Sequence, residues 1–133
     1  MALDLSKTDL SRCLQSKTLW LTLAHLKIAE ASVCDAGLAG DVATARHLDA
    51  AESIFMRLGW KEGHARVWEQ RSHRAIALLK SNTDARLRSS LLDEAAIANR
   101  NAYSLYESIQ NSRGLGRIEA LFKQTEDEKR GMR

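Results

Sequence analysis

The side chains of this 133-residue chain that could do chemistry are four histidines, two cysteines and two runs of carboxylates. Their spacing limits them. His25, His47, His64 and His73 are never three or four apart, so no helix presents two of them to one metal ion, and no acid stands three residues before any of them. Cys13 and Cys34 have neither metal-ligand nor redox spacing, which predicts free thiols of a cytoplasmic protein. His25 sits in an apolar stretch and reads as a packed histidine. Asp93-Glu94 and Glu126-Asp127-Glu128 read as surface carboxylates. Gly37-Leu38-Ala39-Gly40 follows no strand, so it is a helix stop and not a phosphate-cradling loop. The expectation is a protein with no catalytic residues, no metal and no cofactor.

Charge offers one further chemical handle. The net charge is +3, but residues 57–92 hold eight Lys/Arg against three Asp/Glu. Such an excess favours an acidic partner, and a helical regulator binding nucleic acid through 57–92 is the alternative function. Two features weigh against it. Aromatic residues are only 5% of the chain, which is poor for base stacking, and Arg66, Arg71 and Arg74 spread around their helix. A membrane role is not expected, since the most apolar run, Leu19–Leu26, is too short to cross a bilayer.

The elements that must position these groups are all helical. Proline is absent, alanine, leucine, arginine and glutamate are frequent, and no alternating Val/Ile/Thr run suggests a strand. About five helices are expected in a single domain, residues 1–133, with its core over about 10–122 and a frayed tail over 123–133. The first stretch, Leu10–Ala36, reads as one or two helices with a break, if any, near Ser16–Lys17, and it is apolar on two sides, which predicts burial on two sides and a homodimer. The second, to Leu58, buries Val42, Ala45, Leu48, Ala51, Ile54, Phe55 and Leu58 and leaves Arg46, Asp49, Glu52 and Arg57 solvated. The third, about Glu62–Leu79, has a narrow apolar line of Ala65, Trp68, Ser72, Ala75 and Leu79. Ser81-Asn82-Thr83-Asp84 offers several caps for the fourth, about Asp84–Ile109, with its period carried by Leu87, Leu91, Ala95, Ala98, Ala102, Leu105, Tyr106 and Ile109. The last carries Leu115, Ile118, Leu121 and Phe122.

Two joints in this series are alike. At a shift of 51, Phe55 aligns with Tyr106, Leu58 with Ile109, Gly63 with Gly114, Arg66 with Arg117 and Val67 with Ile118. Gly40-Asp41…Ala45, Ala51…Phe55…Leu58-Gly59 and Gly63…Ala65 resemble the tetratricopeptide repeat. The likeness is greatest to the variant in bacterial signalling and regulatory proteins, whose inter-repeat turn reads roughly leucine-Gly-Asp-x-x-Gly-x-Ala. The resemblance spans about residues 17–122. The chain departs from that pattern in lacking proline, in placing Trp60 in the turn, and in a spacing longer than about 34 residues, which implies lengthened helices.

The resemblance implies an all-α fold of antiparallel helix pairs stacked as a short α-solenoid, a plain helical bundle being the alternative. It also implies a non-enzymatic scaffold or adaptor that binds a protein or peptide. The helix from Gly63 would line the groove with Arg66, Gln70, His73 and Arg74, and Arg117 would stand where Arg66 stands in the first copy. Arginine there could hold a carboxylate through two parallel N–H bonds. Trp60 is either a contact anchor or, the preferred reading, tucked over a neighbouring helix.

Overall fold

A computed structural model of the chain describes residues 23–25, 40–81 and 83–131. Most of the expected helix over Leu10–Ala36 lies outside these residues, as do Cys13, Cys34 and Gly37. Residues 23–25 are helical. Four helices follow: α1 (Gly40–Leu58), α2 (Lys61–Ser81), α3 (Ala85–Ser108) and α4 (Ser112–Gly131). The described residues form no strand, and the fold is all-α.

Short joints force consecutive helices to run antiparallel and to pack on each other. The largest interface joins α2 to α3; α3 also packs on α4, and α1 on α2. The helices α2 and α4 touch, whereas α1 and α3 do not approach at the backbone. That arrangement is solenoid-like: α2 and α4 are adjacent on one side of the stack, and α1 and α3 splay on the other.

The reason α2 is central is visible in its side chains. Gly63, Ala65, Val67, Glu69, Ser72, Ala75, Ile76 and Leu79 are all buried, well beyond the narrow line that periodicity predicts. Val67 joins Ala24, Leu48, Ala51 and Phe55 in a small core under α1. On another face of α2, Ala65, Ala75, Ile76 and Leu79 meet Leu91, Ala95, Ala102, Tyr106, Ile118 and Leu121 in the main core. Alanine dominates the α2–α3 seam. Small side chains let two helix axes approach closely and gain dispersion contacts along their length.

Both joints end their first helix in the same way. Gly59 has φ +68°, its N–H donates to Met56 O at 3.1 Å, and the Trp60 N–H donates to Phe55 O at 3.0 Å. Gln110 has φ +56°, its N–H donates to Glu107 O at 3.0 Å, and the Asn111 N–H donates to Tyr106 O at 2.9 Å. A left-handed residue with this pair of reverse bonds satisfies carbonyls that the last helical turn leaves open. A ring then lies over the glycine that opens the next helix. A Cβ on Gly63 would enter the Phe55 ring, and a Cβ on Gly114 would enter the Tyr106 ring.

Three expectations need correction. Leu87 is 41% exposed, not part of the core, because it stands in the first turn of α3 and faces outward there. Glu52 is half-buried and bonded rather than solvated. The tail does not fray from Lys123: α4 continues to Gly131, with Thr125 buried and Glu128 3.2 Å from Arg88 Nη2. The apolar stripe of α4 (Gly114, Ile118, Leu121) continues through Thr125 as a polar position whose hydroxyl is satisfied inside the protein.

Candidate functional site

The face between α2 and α4 holds most of the side chains that the sequence singled out. Arg66, Gln70 and Arg117, together with Glu69, line a cavity of about 240 Å³ there. One helical turn beyond Glu69 on α2, His73 is exposed, with Nε2 4.0 Å from Glu69 Oε2. The shared residue is Glu69, which periodicity alone would leave on the surface. It is only 7% exposed.

A buried carboxylate must be compensated, and Glu69 is. The Tyr106 hydroxyl donates to Oε1 at 2.7 Å. Arg117 Nε donates to Oε2 at 2.9 Å, and its Nη2 reaches the Tyr106 hydroxyl at 3.2 Å. The network joins α2, α3 and α4. Burial, and then the bond to the Glu69 carboxylate, push the Tyr106 hydroxyl up to about 12. The bond to Glu69 likewise raises Arg117 above its ordinary value, against a smaller opposing effect of burial. Arg117 therefore already grips a carboxylate, one that belongs to its own chain. Arg66, its counterpart in the first joint, is exposed and has no ion-pair partner among the described residues.

The other sequence candidates lie elsewhere. Arg74 belongs to a second groove, of about 230 Å³, floored by α2 between α1 and α3. Leu48, Trp68, Ile97 and Ala98 give it an apolar lining, and Asp49, Arg71 and Glu94 stand with Arg74 around it. Trp60 is tucked. Its ring meets Phe55 edge-on at 5.4 Å and His25 at 5.3 Å, and His25 in turn meets Phe55 at 5.7 Å. It also borders a shallow depression with Ile109 and Asn111, where the two joints come side by side.

Part of the basic excess over 57–92 is neutralised within the fold. Arg71 Nη2 binds Asp49 Oδ1 at 2.8 Å and Glu52 Oε1 at 2.9 Å, and its guanidinium lies 4.4 Å from the Trp68 ring centre. Arg88 binds Glu128 and the Leu79 carbonyl, tying the end of α2 to α4. Among the described residues, no group of three or more His, Cys, Asp or Glu converges as a metal site, and no helix is long and apolar enough to cross a membrane.

Sequence reasoning missed Glu69 and read Tyr106 only as a packed ring, and one signal pointed to their pairing. Across the repeat, Phe55 is replaced by Tyr106 at a ring position that must be buried. The extra hydroxyl needs a partner in the core. Glu69, one turn past Arg66, supplies it. Compared with known proteins, the chain matches no family model, no curated protein and no solved structure.

Proposed function

We propose that this chain is a non-enzymatic, tetratricopeptide-like module of the cytoplasm that binds a protein or peptide across its α2–α4 face. The observation that carries this reading is the contrast between the two arginines. Arg117 is held by Glu69 and builds the wall of the groove. Arg66 stands beside the same cavity with its guanidinium uncommitted, next to Gln70. An exposed arginine beside a rigid wall and an amide suits a carboxylate of an acidic peptide. The repeated joint supports the tetratricopeptide likeness, since both copies share the same reverse hydrogen bonds and the same ring over glycine.

The test is fluorescence anisotropy with a panel of labelled acidic peptides, including ones that end in a free carboxylate. Micromolar binding that falls at least about tenfold in Arg66→Glu, a loss of about 1.4 kcal/mol, supports the proposal. Arg66→Glu and Gln70→Ala are the informative variants, because Arg117→Glu would also break the internal pair with Glu69. Equal binding by wild type and Arg66→Glu would clear this face of the role. The proposal extends to a homodimer formed through Leu10–Ala36; light scattering that finds only monomer at high micromolar concentration removes that part.

A further inference from the structure

His64, at the seam between α1 and α2, is contested by two partners. Its Nε2 lies 2.8 Å from Glu52 Oε2 and 3.1 Å from the indole Nε1 of Trp68. An imidazole nitrogen carries either a proton or one lone pair. A protonated Nε2 donates to Glu52 and has nothing to offer an indole N–H. An unprotonated Nε2 accepts from Trp68 and turns a lone pair towards a carboxylate oxygen. The two bonds exclude each other.

We propose that His64 is a proton-operated toggle that selects between Glu52 on α1 and Trp68 on α2. In the imidazolium, both ring nitrogens carry protons and Nε2–H is committed to Glu52. On deprotonation the Nε2 proton leaves to solvent, the remaining proton stays on Nδ1, and Nε2 accepts the Trp68 N–H. The His64 side chain is 20% exposed, so water can reach it to take the proton. On release the Glu52 oxygen that faced Nε2 turns to water, the side chain being 22% exposed, while its other oxygen stays held by Arg71 at 2.9 Å. The Trp68 N–H, by contrast, gains a partner it otherwise lacks within this seam.

The charged surroundings are defined on each side. From α1, Glu52 faces His64 and Asp49 stands behind it on Arg71. From α2, Arg71 lies over the Trp68 ring and Arg74 stands further along the same floor; across the groove is Glu94 of α3. Trp68 forms part of the apolar lining between α1 and α3. The toggle therefore couples proton concentration to the tethering of that lining: the indole is pinned when His64 is neutral and released when it is charged.

The test uses the full chain with ¹⁵N-labelled tryptophan and histidine. Trp68→Phe identifies the Trp68 indole signal among the three tryptophans. Between about pH 5 and 8, the range in which histidine ordinarily titrates, the Trp68 N–H signal should move downfield in a single step. His64 Nε2 should carry no proton at the upper end. His64→Phe should abolish the step, and His64→Gln, whose amide oxygen can accept the indole N–H at every pH, should leave the Trp68 signal downfield throughout with no step. Should the phenylalanine variant fail to fold, the glutamine variant and the nitrogen spectra decide. A protonated Nε2 at pH 8, or a Trp68 signal that ignores the His64 titration, overturns the proposal.

Discussion

The joint between α1 and α2 and the joint between α3 and α4 make the same turn with different materials. In the first, a glycine adopts the left-handed conformation at 59, a tryptophan follows and folds back on Phe55. In the second, Gln110 adopts that conformation, and Asn111 follows and caps α4 by accepting the Gly114 N–H at 3.0 Å. The ring that covers the glycine is plain in one and carries a hydroxyl in the other. From this the two joints acquire different duties. Phe55 only packs, and Arg66 nearby has no ion-pair partner among the described residues. Tyr106 recruits Glu69, which takes up Arg117. What the pair teaches is that the turn is specified by backbone hydrogen bonds and a ring over glycine, while one oxygen atom draws a buried carboxylate and its arginine into the second joint.

The largest effect that would break the comparison is at the glycines. Gly63→Ala and Gly114→Ala each drive a methyl into a buried ring, and each should cost about 2–3 kcal/mol in urea unfolding. The loss at Gly114 should be the larger, because Tyr106 is tethered through its hydroxyl and Phe55 is not. Equal and negligible losses would mean that the ring contact is not what closes the joints.

Next comes Tyr106→Phe, which gives the second joint the ring of the first. It should cost about 1–2 kcal/mol at neutral pH, since Glu69 loses a donor. It should also change the alkaline limb. The unfolded tyrosine ionises near 10 and the folded one near 12, so the wild type is fully stabilised below pH 10 and loses stability as pH rises through that window. The loss specific to Tyr106 is of order 2 kcal/mol. Unfolding followed between pH 9 and 12 should show it in the wild type and not in Tyr106→Phe.

Glu52 is the ion-paired, half-buried carboxylate of the α1–α2 seam, and Glu52→Gln should cost about 1 kcal/mol in chemical unfolding at neutral pH. Burial alone would push the Glu52 carboxyl up, but the bonds from Arg71 and His64 outweigh it and hold the carboxyl below its ordinary 4.5. The sign follows: its contribution is complete above 4.5 and is lost as pH falls through the depressed value. The acid limb of the stability curve should therefore be shallower in Glu52→Gln. The smallest effect is at the left-handed residues. Gln110→Gly should gain about 0.5–1 kcal/mol and Gly59→Gln should lose about 1 kcal/mol, read as opposite shifts in melting temperature.

The joints were legible in the sequence because their signals are local. Gly63 and Gly114 sit at equal distances from an aromatic residue, and Leu91, Ala95, Ala98 and Ala102 repeat at helical spacing. Glu69 was not legible as a core residue. Its i,i+4 neighbour His73 suggests a solvated pair, while the partners that bury it lie on α3 and α4, far along the chain. Leu87 fails in the opposite direction: periodicity names a face, but whether that face is covered depends on a neighbouring helix. Of the candidate residues, Arg66, Gln70 and Arg117 line one cavity, although the repeat only made Arg117 the equivalent of Arg66 and did not bring the two together. Arg74 points into the other groove because α2 is covered on several sides, and Trp60 is spent on packing.

One polar contact has a mechanical consequence. In the middle of the stack, the Ser72 hydroxyl donates to Asn99 Oδ1, Asn99 Nδ2 donates to Thr125 Oγ1 at 3.0 Å, and the Thr125 hydroxyl donates to Leu121 O at 2.8 Å. This rung crosses α2, α3 and α4 once, at one height. Sliding any of the three by a single turn, about 5.4 Å, would strand a buried amide without partners. The helices cannot ratchet lengthwise past one another at low cost. The rung is a pin that fixes the lengthwise register of α2, α3 and α4 and places no such constraint on α1.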